Sequence, residues 1–186
     1  MNIMIVGVGG QGTLLASRIL GKVAIKEGYD VKVSEVHGMS QRGGSVVTYV
    51  KYGDKVYSPI IDRGEADLIL AFEMLEAMRA LPYLKKGGKM IANTQKMNPM
   101  PVITGAMEYP EKIEEKLSAK INLQAVDALS LAEKAGTIKA VNVVLIGLLA
   151  KSMDVDKNVW IDVIKETVPE KFLDVNIKAF ELGYEL

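Results

Sequence analysis

An α/β fold with a mostly parallel, doubly wound sheet is what this sequence predicts, with an antiparallel hairpin excursion and a helical C-terminal part. Three observations carry it. Short apolar runs alternate with stretches of helical periodicity, as expected for strands buried between crossover helices. A cluster of glycines stands at the first strand-to-helix junction. Beyond Asp127 the strand signals stop, and apolar positions recur at helical spacing almost to the end.

The elements follow in order. NIMIVG (Asn2–Gly7) reads as a buried parallel strand. The turn Gly7-Val8-Gly9-Gly10-Gln11-Gly12 leads into a helix that carries Leu15, Ile19, Leu20 and Val23 on one face, with Gly28 at its expected C-cap. DVKVSEV (Asp30–Val36) sets Val31, Val33 and Glu35 on one side of a second strand. Strand, turn, helix and strand make a βαβ unit, the opening of a Rossmann-like sheet.

SVVTYVKY (Ser45–Tyr52) is strongly β-prone, and Gly53-Asp54 before KVYSP predicts a tight hairpin. ADLILAF (Ala66–Phe72) is a further buried strand, followed by a helix over EMLEAMRALPYL that stops near Pro82. Gly87-Gly88 is expected to turn the chain into the strand KMIAN. Thr94 to Pro110 holds three prolines and little periodicity, so a long, partly extended connection is expected there. INLQAVD (Ile121–Asp127) should be the last strand, with Asp127 capping a helix that ends at Gly136. Apolar helical spacing over IKAVNVVLIGLLAKSM, a helix near Lys157–Glu166 and another opened by Pro169 complete one domain spanning residues 1–186.

Composition narrows the chemistry. Lysine and arginine number 23 and so do the acids, giving zero net charge, so no nucleic-acid or acidic-membrane partner is expected. A neutral chain also suits burial of surface in an assembly. There is no cysteine and a single histidine, His37, which excludes disulfides, zinc–thiolate sites and cysteine-ligated iron–sulfur clusters from this chain. MNIMIVGVGG shows no basic n-region, and the longest apolar run, Val143–Ala150, has 8 residues against the roughly 20 that span a bilayer. A cytoplasmic location is expected.

Two loops carry the functional signal. In Gly7-x-Gly9-x-x-Gly12 the first glycine makes the tight turn, the second lets backbone approach a phosphate, and the third lets helix pack on strand, with Gly10 loosening the loop. The competing explanation is close packing alone. An acid about 20 residues on would hold a ribose, and Glu35 lies 23 positions after Gly12. The second loop, EVHGMSQRGG (Glu35–Gly44), holds a donor fork in Arg42, neutral donors in Ser40 and Gln41, backbone freedom in Gly43 and Gly44, and a group that titrates near neutrality in His37. His37 and Arg42 serve either a ligand or hydrogen bonds that tie the loop to Glu35. Both loops are expected to leave the carboxyl ends of adjacent parallel strands. Glu73 suits either that crevice or a helix first turn, and Asn142 suits a core backbone group.

The pairing of Gly-x-Gly-Gly-Gln-Gly with Glu-x-His-Gly-Met-Ser-Gln-Arg-Gly-Gly resembles the gamma domain of 2-oxoacid:ferredoxin oxidoreductases, which convert 2-oxoacids to acyl-CoA. The likeness continues through ADLILAFEMLEAMRALPYLKKGG, Asn93, Thr94 and NVVLIG at Asn142–Gly147, and so spans essentially the whole chain. As a free-standing subunit of this length it is most similar to the indolepyruvate type. The resemblance implies that thiamine diphosphate sits between other domains and that the iron–sulfur clusters lie on another subunit. It implies a role in helping to bind coenzyme A, a large thiamine- and iron–sulfur-binding partner subunit, and ferredoxin reached through the complex. The chain alone would be inactive, with no catalytic residue and no metal ligand of its own. The residues expected to face the cofactor are Gly7, Gly9, Gly10, Gln11 and Gly12 of the first loop, and Glu35, His37, Ser40, Gln41, Arg42, Gly43 and Gly44 of the second.

Two rivals come from other classes. A stand-alone domain that reads NAD or a nucleotide would use Glu35 on the ribose. An adenylating enzyme shares the glycine turn but usually brings cysteines, which are absent here.

Overall fold

A computed structural model describes residues 1–37 and 43–186, His37 by its backbone only. Six strands form one sheet: β1 (Asn2–Val8), β2 (Asp30–His37), β3 (Ser45–Gly53), β4 (Ala66–Ala71), β5 (Leu84–Asn93) and β6 (Asn122–Val126). Their order is β2-β3-β1-β4-β5-β6. β1, β4, β5 and β6 are parallel neighbours, whereas β3 runs antiparallel to both β1 and β2.

Strand periodicity explains the layers. In β1, β4 and β5, Ile3, Ile5, Leu68, Leu70 and Ile91 face one apolar cluster, while Met4, Val6, Ile69, Met90 and Ala92 face another. Alternating side chains are thus buried on both faces, which is why these strands are continuously apolar. Helices α1 (Thr13–Lys26), α5 (Ala128–Ala135), α6 (Val141–Lys151), α7 (Lys157–Thr167) and α8 (Leu173–Tyr184) cover the first face. Helices α2 (Met74–Ala80) and α4 (Ile113–Ser118) cover the second. A single turn, α3 (Met100–Ile103), interrupts the proline-rich connection. Among the described residues no helix is long and apolar enough to cross a membrane.

α6 is buried from Val141 to Ala150 because it lies between the sheet and α8. The crossing is very close: a Cβ on Gly147 would fall 2.1 Å from the Phe180 carbonyl oxygen, and one on Gly183 would fall 2.0 Å from that of Val144. Any larger residue at either position would push the two helices apart.

Four expectations need correction. The hairpin partner of β3 is β2 (Asp30↔Gly53, His37↔Val46), not KVYSP. Both edges of β3 are already occupied, and the Val56 amide donates to the Asp30 carboxylate (2.9 Å) in place of a strand. β1 and β2 are parallel but not adjacent, because β3 lies between them. β5 begins at Leu84, before Gly87-Gly88. Its register jumps between Ala66↔Leu84 and Leu68↔Lys89, so the glycines form a bulge within the strand, with Gly87 at φ 81°. Finally, α4 was not anticipated from the sequence; it starts at Lys112, a non-glycine residue at φ 55°.

Candidate functional site

β1 is followed by the glycine turn at the carboxyl end of the sheet. Gly12, at φ 83°, is the N-cap of α1 and supplies no capping side chain. The Gly12 carbonyl accepts from Leu15 and Ala16 (3.1 and 3.2 Å). Among the described residues the amides of Gly10, Gly12, Thr13 and Leu14 have no protein acceptor. They leave a set of donors at the positive end of a 14-residue helix. The third glycine has a local reason beyond its dihedral, since a Cβ there would lie 2.5 Å from Asn142 Nδ2. Asn142 donates through that nitrogen to the Gly12 carbonyl (3.3 Å), the core backbone role expected of it.

Gln11 turns inward. Its Oε1 accepts from the Val8 amide (2.8 Å), and its Nε2 donates to the Phe72 carbonyl (3.1 Å) and lies 3.4 Å from Gln95 Oε1. Gly7 must be small because a Cβ would come within 2.8 Å of Gln11 Oε1. The side chain of Gln11 thus bolts the turn to the ends of β4 and β5. Buried Asn93 extends the same network, donating to the Phe72 carbonyl (3.3 Å) and accepting from the Ala128 amide (3.2 Å).

The two loops meet. The Gly9 amide donates to the Gly44 carbonyl (2.9 Å), where the chain enters β3, and Gly43 is exposed at φ 77°. Glu35 on β2 accepts from Thr48 (3.1 Å), with Thr13 Oγ1 at 3.5 Å. A cleft of about 300 Å³ is lined by Gly9, Gly10, Gly12, Thr13, Glu35 and Val46. On the other side of the turn, a second cleft of about 460 Å³ is lined by Gln95, Met97, Leu129, Ile138 and Lys139 together with the same glycines. Ser40, Gln41, Arg42 and the His37 side chain lie outside the described residues.

Glu73 belongs to α2 and not to this crevice. It is 1% exposed and caps the helix, accepting from the Glu76 amide (2.9 Å), the Met97 amide (3.0 Å) and the Tyr109 hydroxyl (2.5 Å). Burial, reinforced by the bond to this carboxylate, pushes the Tyr109 phenol well above its usual range. Glu76, also buried, accepts from Ser45 and Arg79 (2.6 Å each).

The described residues of the turn supply the donors of a binding site. Backbone amides at the glycine turn, with Lys139 on the side of the second cleft, suit an anion such as a phosphate. Among the described residues no three His, Cys, Asp or Glu side chains converge on a metal position.

Pyruvate ferredoxin/flavodoxin oxidoreductase is the family whose pattern matches residues 2–186. The chain belongs to that family. Indolepyruvate oxidoreductase subunit IorB of Pyrococcus horikoshii is 47% identical over 188 residues, covering 98% of this chain and 93% of the relative. The gamma subunit of a keto/oxoacid ferredoxin oxidoreductase from Geobacter sulfurreducens superposes with a TM-score of 0.74 at 24% identity, over 99% of this chain and 96% of that one. The 2-oxoglutarate:ferredoxin oxidoreductase of Magnetococcus marinus, solved with 2-oxoglutarate, coenzyme A and succinyl-CoA bound, gives 0.72 at 16% identity. That match takes in all of this chain and 30% of the other. At such identities the two structures speak to the fold alone.

For this member of the oxidoreductase family, sequence reasoning located the glycine turn, Glu35 and Asn142, but missed four neighbours. Thr13, Thr48, Gln95 and Lys139 carry no periodicity or motif signal. Thr13 follows Gly12 directly, but only the topology brings the other three to the turn, and Gln95 sits in the stretch read as a plain connection.

Proposed function

We propose that this chain is the accessory subunit of a thiamine-diphosphate-dependent 2-oxoacid:ferredoxin oxidoreductase of the indolepyruvate type. It would act as one gamma-type domain over residues 1–186, in the cytoplasm, beside a large subunit that holds thiamine diphosphate and the iron–sulfur clusters and passes electrons to ferredoxin. The whole-length 47% identity to an IorB subunit is the observation that carries this reading.

In this role the amides of Gly10, Gly12, Thr13 and Leu14 would hold a phosphate of coenzyme A, with Lys139 at the rim. Coenzyme A would supply the thiol that accepts the acyl group. Arg42, Ser40 and Gln41 of the second loop would add side-chain donors for the same ligand, as the family resemblance implies. The chain has no cysteine to ligate a cluster, so on this reading it should be inactive alone. Oxidation of aryl pyruvates to acyl-CoA, coupled to ferredoxin reduction, should require co-expression of both subunits. Full activity from the large subunit without this chain would refute the proposal.

A second reading rests on Glu35, which lines the cleft beside the turn where a dinucleotide ribose would lie. On that reading the isolated chain binds NAD and loses it in Glu35→Ala. Calorimetry with no heat of NAD binding removes it.

A further inference from the structure

Away from the glycine turn, a cavity of about 390 Å³ opens between α1, the start of α6 and the α7–α8 connection. Its walls include Leu15, Ala140, Val168, Pro169, Phe172 and Val175, all apolar. Two polar groups stand out against them.

Asn176 lines the cavity although it is only 8% exposed. Its Nδ2 donates to the Phe172 carbonyl one turn earlier (2.8 Å). A carbonyl can only accept, so this bond decides which end of the amide is which, and Oδ1 is the end without a protein donor among the described residues. The second group is Lys139, which lines both this cavity and the larger glycine-turn cleft and forms no ion pair among the described residues. The remaining polar lining residue, Thr137, is engaged: its Oγ1 accepts from the Lys139 amide (3.3 Å).

With no protein donor among the described residues, Asn176 Oδ1 is left to water or to a donor on an occupant of the cavity. The combination specifies a ligand. It needs an apolar, ring-sized body for the walls, an O–H or N–H donor at its inner end for Asn176 Oδ1, and an anionic group at its outer end for Lys139. From this geometry we propose that the cavity is a second binding site, distinct from the glycine turn, for a small aryl carboxylate carrying a hydroxyl or N–H donor. The site depends on neither the oxidoreductase reading nor coenzyme A. Because Lys139 borders both spaces, an occupant would place negative charge beside the glycine-turn cleft and weaken the binding of another anion there.

The test uses the full chain with 4-hydroxyphenylacetate as probe, followed by calorimetry and by the probe's own NMR signals. Saturable one-site binding is expected. Phenylacetate, which lacks the donor, and 4-methylphenol, which lacks the carboxylate, should each bind roughly tenfold more weakly. Lys139→Ala, at an exposed position, should reproduce the loss seen with 4-methylphenol. Asn176→Leu should erase the preference for 4-hydroxyphenylacetate over phenylacetate. The ligand series needs no variant to fold, so it decides the matter even if Asn176→Leu does not. Equal binding of all three probes, binding unaltered by Lys139→Ala, or no saturable binding at millimolar concentration would each overturn the proposal. The last result would leave the cavity to a partner's side chain.

Discussion

Two strand-to-helix turns stand side by side at the same end of the sheet, on the paired parallel strands β1 and β4, and they treat the same physical problem in opposite ways. Both must deal with helix N-terminal amides that have no intrahelical acceptor. After β4, Glu73 folds its buried carboxylate back onto the Glu76 amide and also gathers the Met97 amide and the Tyr109 hydroxyl. After β1, Gly12 caps α1 with no side chain, and the adjoining donors face a cleft. The first turn is closed by its own protein; the second leaves its electrostatic capacity to something else. A strand-end position in an α/β sheet is therefore not a site by virtue of topology alone. The cap residue decides it.

The largest effect should come from breaking the closed turn. Glu73→Ala orphans the buried Glu76 amide, the half-buried Met97 amide and the Tyr109 hydroxyl, each unmade bond costing on the order of 1 kcal/mol or more, so about 3 kcal/mol of unfolding free energy should be lost. Urea denaturation measures it. A loss under about 1 kcal/mol would mean that water replaces the carboxylate, and the contrast between the two turns would lose its basis.

Gly12→Ala addresses the open turn. A left-handed conformation costs a non-glycine residue about 1–2 kcal/mol, and the new methyl meets Asn142 at 2.5 Å, so about 2–3 kcal/mol in total is expected. The pair Gly12→Ala/Asn142→Ala should cost less than the sum of its parts, because the clash is absent from the double variant. Strict additivity would show that Asn142 yields freely and that only the backbone dihedral demands glycine there.

Gln11→Ala should be milder, about 1 kcal/mol, since the turn keeps the Gln11 amide bond to the Val8 carbonyl (3.1 Å) and the bond from Gly9 to Gly44. Under the proposed coenzyme A role, its expected signature in the assembled enzyme is a raised KM for coenzyme A at nearly constant kcat, because the latch would only place donors. An equal fall in kcat would contradict that.

How much of this contrast could be read in advance follows from which interactions are local. The glycine turn was legible because its requirements are written in adjacent residues: a strand, three small residues at fixed spacing and a helix. Asp127 and Gly136 were legible as caps of α5 for the same reason. The insertion of β3 between β1 and β2 was not, since β propensity says that a strand exists but not whose edge it joins. The ambiguity of Glu73 came from partners 24 and 36 residues away, Met97 and Tyr109, in a stretch without periodicity. Lys139 and Gln95 reach the glycine turn only through the packing of α5 and the end of β5. What stayed hidden is therefore what long-range closure creates.

The subtlest test concerns Tyr109, which belongs to the closed turn and has no counterpart in the open one. Its phenol is held above the ordinary tyrosine range, first by burial and then by the Glu73 carboxylate. The unfolded chain releases that proton near pH 10, whereas the folded chain retains it to higher pH. The contribution of Tyr109 to stability is therefore complete below pH 10 and is lost as pH rises through the folded-state value. Urea unfolding at pH 9 and pH 11 should show the wild type losing more stability between the two than Tyr109→Phe does. Glu73→Gln should narrow that difference, because a neutral amide repels the phenolate less than a carboxylate does. If Tyr109 released its proton near pH 10 in the folded protein, the hydroxyl would not be sealed against Glu73, and the turn after β4 would be as open to solvent as the turn after β1.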